Sequence, residues 1–267
     1  MKNTKKILFI ATVVLLLIAF GVSAFMVVNY LAEGKKQEDR NNQLAQMVSQ
    51  ASTEPKETKP AETTAATTES TEPTELTMIP GYAEIYEQNQ DLVGWLKIEG
   101  TKVNYPVLQT PNEPNYYLYR DFDGNGSTHG AIYAREECDI NKPSDNITMY
   151  GHNMADGSMF ATLNNYTSKD YWEKNSLIFF DTLYEYHTYK VFAVFKTSAN
   201  VGEGFSYHQF EDAENEAAFD DFVSTCKKLA FYDTGITPQY GDKLICLSTC
   251  EYTLDNGRLV VAAVRIT

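Results

Sequence analysis

The sequence predicts a mainly β domain, an antiparallel barrel or sandwich, carried behind one apolar N-terminal helix. Three observations predict it. Eight short runs rich in Val, Ile, Tyr and Phe recur after residue 91, separated by Gly, Asn, Asp and Pro. Aromatic residues make up 13% of the chain, with 18 Tyr against 2 Trp. Only three later stretches have helical spacing, and eight strands in about 170 residues suit a barrel or sandwich. The length of 267 residues gives ample chain to bury a core, and a composition of 43% hydrophobic and 22% charged residues excludes collagen-like, mostly disordered and multi-span membrane classes for the whole.

From the N-terminus, Lys2, Lys5 and Lys6 precede an apolar run, Ile7 to Val28, broken by Thr12, Gly21 and Ser23. Such a run spans about 33 Å as a helix, enough for a hydrocarbon core. The preceding lysines place residues 1–6 in the cytoplasm and the remainder outside. Val22-Ser23-Ala24 offers a cleavage-like site, but apolar sequence continues through Phe25, Met26, Val27 and Val28. An uncleaved signal anchor over 7–31 is therefore the preferred reading.

Residues 32–77 are expected to be a linker. Ala51 to Thr77 holds nine Thr, six Glu and three Pro, with one Leu and no aromatic residue. This composition buries too little apolar area to offset its ordering entropy. As a flexible tether it reaches about 35–40 Å. The globular domain follows over 78–267. It carries a net charge of -13 within a total of -14, so it has no general attraction for nucleic acid or anionic lipid.

Within the domain, helical spacing is expected over Ile79–Gln90, Met159–Trp172 and Ala213–Ala230. Strands are expected at Leu92–Ile98, Val103–Leu108, Gly130–Tyr133, Ile147–Tyr150, Leu177–Asp181, Tyr189–Lys196, Lys243–Cys250 and Arg258–Ile266. No C-x-x-C or H-x-x-x-H spacing is present, so neither a metal nor a cofactor is expected. Cys246 and Cys250, four apart on one strand, lie about 13 Å apart and cannot bridge. Cys246 shares the strand face of 248 and 250 and reads as a small buried filler.

The chemistry gathers at the last hairpin. A strand ending at Cys250, the turn residues Asp255-Asn256-Gly257 and a strand opening at Arg258 set these two side chains opposite each other. A guanidinium there favours a thiolate and can donate to a developing oxyanion. A thiol nucleophile needs an imidazole partner. His152, in Tyr150-Gly-His-Asn-Met154 just past a strand end, is the candidate. His129, His187 and His208 read as surface or structural residues.

Leu247-Ser-Thr-Cys250 with Arg258, and Tyr150-Gly-His-Asn-Met154, resemble the active-site motifs of class B sortases, membrane-anchored cysteine transpeptidases of Gram-positive bacteria. Asn104-Tyr-Pro-Val-Leu-Gln109, Tyr117-Leu-Tyr-Arg-Asp-Phe122, Met159-Phe160, Tyr189–Lys196 and the helical insertion at 213–230 extend the resemblance across 78–267. One departure is Cys246, where the family's motif has Thr. The resemblance implies a closed eight-stranded sortase-type barrel with an N-terminal helix and helical insertions. It implies cleavage after Thr of a C-terminal sorting signal on a secreted protein. The new carboxyl end is then joined to an amine of a cell-wall precursor or pilin. Cys250 is the implied nucleophile, His152 the acid and base, and Arg258 the carbonyl or oxyanion partner. Ser248, Glu251, Tyr150 and Leu118 are the implied substrate contacts. Two alternatives belong to other classes: a cysteine peptidase releasing its product to water, and a non-catalytic surface binding module.

Overall fold

The computed structural model describes residues 2–51, 77–200 and 202–267. Helix α1, Lys2–Ala51, contains a stretch with mean hydropathy 2.8, long and apolar enough to cross a membrane. The helix continues through 32–51, which composition assigned to the linker; the rest of that predicted linker, 52–76, lies outside the described residues. The chain forms two compact units, one up to Arg40 and one over Asn41–Thr267. In the second unit, the end of α1 has an apolar side that composition averaged away. Leu44 is fully buried there, in a cluster with Tyr82, Ile85 and Trp95.

Helix α2, Pro80–Gln88, opens with proline at its first position, where a missing N–H costs nothing. The strands are β1 Leu92–Lys97, β2 Asn104–Leu108, β3 Ile132–Ala134, β4 Asn146–Tyr150, β5 Leu177–Thr182, β6 Thr188–Ser198, β7 Leu244–Glu251 and β8 Gly257–Arg265. They close into a barrel in the order β1-β2-β3-β4-β7-β8-β6-β5, with β5 returning to β1. The sandwich alternative is thus overturned, and so is a purely antiparallel sheet. Strands β2 and β3 pair in parallel, as do β4 and β7. Both connections are long enough to carry the chain back to the starting end, which a tight hairpin cannot do.

Alternation along the strands divides the apolar residues between two layers. Leu96, Val107, Ile147, Phe180, Val194, Ile245, Leu247 and Val261 fill one core with neighbours from every strand, the barrel interior. Phe195, Leu244, Cys246, Val260 and Ala262 face the other way, against the insertion. That insertion is α4, Glu216–Leu229. Asn215 caps it by accepting from the Ala218 N–H at 3.1 Å, Glu216 lies in its first turn, and Lys227 and Lys228 lie in its last. Each is favourable with respect to the helix dipole. The stripe Phe219, Phe222, Val223 and Cys226 is buried on the barrel wall. Short α3, Lys169–Lys174, and a 3₁₀ segment, Ala161–Thr167, occupy the other predicted helical stretch.

All four cysteines are free. Cys246 is fully buried between β7 and α4, and burial drives its thiol well above the ordinary range. A residue so enclosed acts by volume. Cys246→Thr is expected to leave peptide cleavage unchanged, while the hydroxyl it buries among apolar side chains lowers stability by about 1–3 kcal/mol. A comparison of kcat/KM and Tm checks this, and a loss of activity at unchanged Tm would contradict it.

Candidate active site

Alternation on β7 turns Ser248 and Cys250 to one face and Thr249 and Glu251 to the other. Across the hairpin, Cys250 pairs in register with Arg258, and Ser248 with Val260. The half-buried Cys250 and Arg258 line one groove of ≈ 280 Å³ together with Leu118, Tyr150, His152 and Ser248.

His152 reaches this groove through the parallel pairing of β4 with β7, which sets Tyr150 beside Ser248. Three hydrogen bonds then carry the chain past the strand end along β7. The Gly151 N–H donates to Ser248 O at 3.2 Å, Thr249 Oγ1 donates to Gly151 O at 2.7 Å, and Asn153 Nδ2 donates to Cys250 O at 3.0 Å. Residue 151 must be glycine: a Cβ there would lie 2.5 Å from Ile132 Cδ1 and 2.8 Å from the Phe160 ring. The imidazole Nε2 lies 2.7 Å from the Leu118 carbonyl oxygen. A carbonyl only accepts, so Nε2 holds the proton and Nδ1 is the nitrogen left to exchange one. The Tyr119 ring lies against the imidazole, with centroids 5.5 Å apart.

The Arg258 guanidinium is held toward the β7–β8 turn. Its Nη1 donates to Gly257 O at 2.9 Å, to Asn256 Oδ1 at 3.0 Å and to Asn256 O at 3.2 Å. Asn256 has φ 46°, a left-handed conformation that asparagine tolerates better than most residues.

The four sequence-predicted contact residues divide. Leu118 borders the groove, and its carbonyl is the imidazole's acceptor. Tyr150 borders it too, its ring against Tyr133 at 5.3 Å. Burial pushes the Tyr150 phenol up to about 12, against the opposing pull of a hydrogen bond with Arg135. Ser248 lies on the groove floor, 1% exposed, with Oγ 2.6 Å from the Tyr207 hydroxyl.

Glu251 is not brought to the groove. Its carboxylate meets Lys196 Nζ at 2.6 Å and accepts from the Thr253 and Leu254 N–H groups at 3.0 and 3.2 Å. It therefore ties β6 to the turn that carries Arg258. Burial acts to raise its carboxyl, but the Lys196 ammonium and the Thr253 hydrogen bonds hold it at about 2, against an ordinary 4.5. A depressed carboxyl contributes stability above its unfolded value and loses it as pH falls through the folded one. Glu251→Gln is expected to lower Tm at neutral pH, and the gap from wild type should close between pH 4.5 and 2. Thermal unfolding across a pH series checks this, and a pH-independent gap would contradict it.

Among the further residues that line the groove, Arg135, Tyr207 and His208 are ionisable or polar groups that sequence reasoning passed over or set aside. Arg135 Nε lies 3.0 Å from both Glu137 and Glu211 carboxylate oxygens. Burial lowers the His208 imidazole, and the Arg135 guanidinium adds to that. Tyr207 and His208 arrive from the β6–α4 connection, where local sequence carries no signal beyond an aromatic residue near Gly204.

The chain matches the Sortase domain family over residues 96–266. It is 30% identical to Sortase B of Staphylococcus aureus over 186 residues, covering 69% of this chain and 74% of that protein. It is 31% identical to Sortase B of Listeria monocytogenes over 187 residues, covering 69% and 73%. Among solved structures, a Staphylococcus aureus sortase B–substrate complex superposes with a TM-score of 0.74 at 26% identity, over 88% of this chain and 99% of that one.

Proposed function

The chain belongs to the class B branch of the sortase family, cysteine transpeptidases of the cell surface, and from that premise we propose the reaction it performs. Cys250 attacks the carbonyl of a threonine in a C-terminal sorting signal of a secreted protein. The sulfur–acyl bond forms as the amide C–N bond breaks. His152 delivers a proton to the departing amine, leaving a thioacyl enzyme. An amine of a cell-wall precursor or pilin then attacks the thioester. His152 takes the proton from that amine, and the thiol is released. Arg258 donates to the carbonyl oxygen as it gains charge.

The observation that carries this reading is the convergence of Cys250, its cross-strand neighbour Arg258 and His152 on one groove. Tyr150, Leu118 and Ser248 bind the peptide on the walls and floor of that groove, while Glu251 acts through the turn it ties down. The apolar stretch of α1 anchors the enzyme as a single span with its N-terminus in the cytoplasm, so that both substrates meet the groove at the outer membrane face.

The test is product analysis. Quenched peptides with varied sorting motifs, each keeping threonine before the scissile bond, are incubated with and without an amine acceptor. The expected product in the presence of amine is the ligated peptide. Hydrolysis alone with every amine offered would leave a peptidase instead.

A further inference from the structure

His129 is a buried imidazole that the proposed chemistry does not use. It is 1% exposed, and its Nε2 lies 3.0 Å from Asp156 Oδ2. Its Nδ1 lies 3.3 Å from Thr128 Oγ1, and its backbone N–H donates to Ser127 Oγ at 3.1 Å. On the other side, Asp156 Oδ1 accepts from the Ser158 N–H and hydroxyl at 2.9 and 2.6 Å, and Lys102 Nζ donates to Asp156 O at 3.1 Å. Burial acts to raise the Asp156 carboxyl, but the two Ser158 bonds and the His129 imidazole hold it below its ordinary range, so it faces His129 as an anion.

The two residues sit on the two segments that frame His152. The His129 loop is fastened to the wall the imidazole leans on: Ser127 N donates to Tyr119 O and Ala131 N to Tyr117 O, both at 3.0 Å. Between them, Leu118 O accepts from His152 and the Tyr119 ring covers it. Gly130, at φ 60°, lets the loop press on that wall, since a Cβ there would lie 2.4 Å from Leu118 O. The Asp156 loop is the direct continuation of His152. It is closed by the Asn153–Met159 bridge and by Phe160 N donating to His152 O at 2.9 Å.

We propose that His129 and Asp156 are positioning residues for His152, a buried clasp that fixes the distance between the segment carrying the imidazole and the wall that orients its ring. The proposal rests on the reading of His152 as the acid and base. Breaking the clasp loosens the link between the two segments beside the imidazole's own bond to Leu118. The ring then samples orientations from which proton transfer is slow.

The test measures cleavage by the full chain in detergent, for wild type, His152→Gln, His129→Leu, His129→Gln, Asp156→Ala and the His129→Leu/Asp156→Ala double variant. Misplacing a catalytic group by about 1 Å costs up to about 100-fold in rate, so His129→Leu and Asp156→Ala are expected to lose about 10- to 100-fold in kcat. KM should rise by a smaller factor than kcat falls, because the clasp acts on the imidazole more directly than on the Leu118 wall of the groove. His129→Gln keeps a donor toward Asp156 and is expected to recover most of the lost kcat. The double variant should be no slower than the slower single one, because both break the same link. The Asp156 side chain is 33% exposed, so Asp156→Ala reports on the clasp even where His129→Leu does not fold. Wild-type kcat in Asp156→Ala beside a slow His152→Gln overturns the proposal alone. So do multiplying losses in the double variant, or a His129→Gln enzyme no faster than a folded His129→Leu. Wild-type kcat in His152→Gln overturns the reading of His152 and the clasp with it.

Discussion

Replacing Cys250 by alanine is expected to abolish both peptide cleavage and amine ligation. Removing the nucleophile of a serine protease costs roughly 10⁶-fold in kcat, which sets the scale. No other thiol can substitute. Cys226 and Cys246 are fully buried and Cys138 is 5% exposed, and burial pushes the Cys138 thiol up to about 12. The loss should come without unfolding. Cys250 sits at the end of β7, half-buried, and its strand bonds run through the backbone. A change in stability of about 0.5 kcal/mol is the scale for such positions. Tm and circular dichroism alongside the cleavage assay separate chemistry from folding. Amine ligation in Cys250→Ala at a rate near the wild-type one would require another nucleophile, whereas slow hydrolysis by water in the intact groove would not.

The second large effect is expected at His152. General acid–base catalysis contributes roughly 10²–10⁴-fold, and His152→Gln removes it while keeping an N–H able to reach the Leu118 carbonyl. Because one imidazole serves both half-reactions, acylation and aminolysis should slow together. Single-turnover rates for each half-reaction, followed by quench and mass analysis, check this. Slowing of one half alone would divide the two proton transfers between different groups. The pH dependence of the rate gives a second readout, since the amide side chain does not titrate near neutrality.

Much of the barrel could be read from the chain before its structure, because its signals are local. Alternating runs such as Tyr189–Lys196 and the stripe Phe219, Phe222, Val223 and Cys226 each bury one face, and periodicity reports a face directly. The pairing of Cys250 with Arg258 was legible for the same reason, since a short turn fixes register. The parallel pairing of β4 with β7 was not, because nothing within either strand states which distant neighbour it meets. For the same reason Arg135, Tyr207 and His208 reach the groove without warning.

Glu251 is a different case. Its neighbour Cys250 made it seem a groove residue, yet alternation alone sets it on the opposite face from Ser248 and Cys250. The end of α1 shows the reverse difficulty. Polar residues over 35–43 and the Thr-rich stretch beyond merged into one linker by composition. The burial of Leu44 depends on contacts with Tyr82 and Ile85, which no window around it contains.

The measurement that tests the central claim most directly is the intact mass of the protein during turnover. Incubated with a cleavable sorting-signal peptide and no amine, the enzyme should gain the mass of the peptide's N-terminal fragment less one water. Fragmentation should locate it on Cys250, added amine should discharge it, and Cys250→Ala should never acquire it. Cleavage that proceeds with no such adduct at any time point, or an adduct that persists in Cys250→Ala, would contradict a thioacyl intermediate on that sulfur.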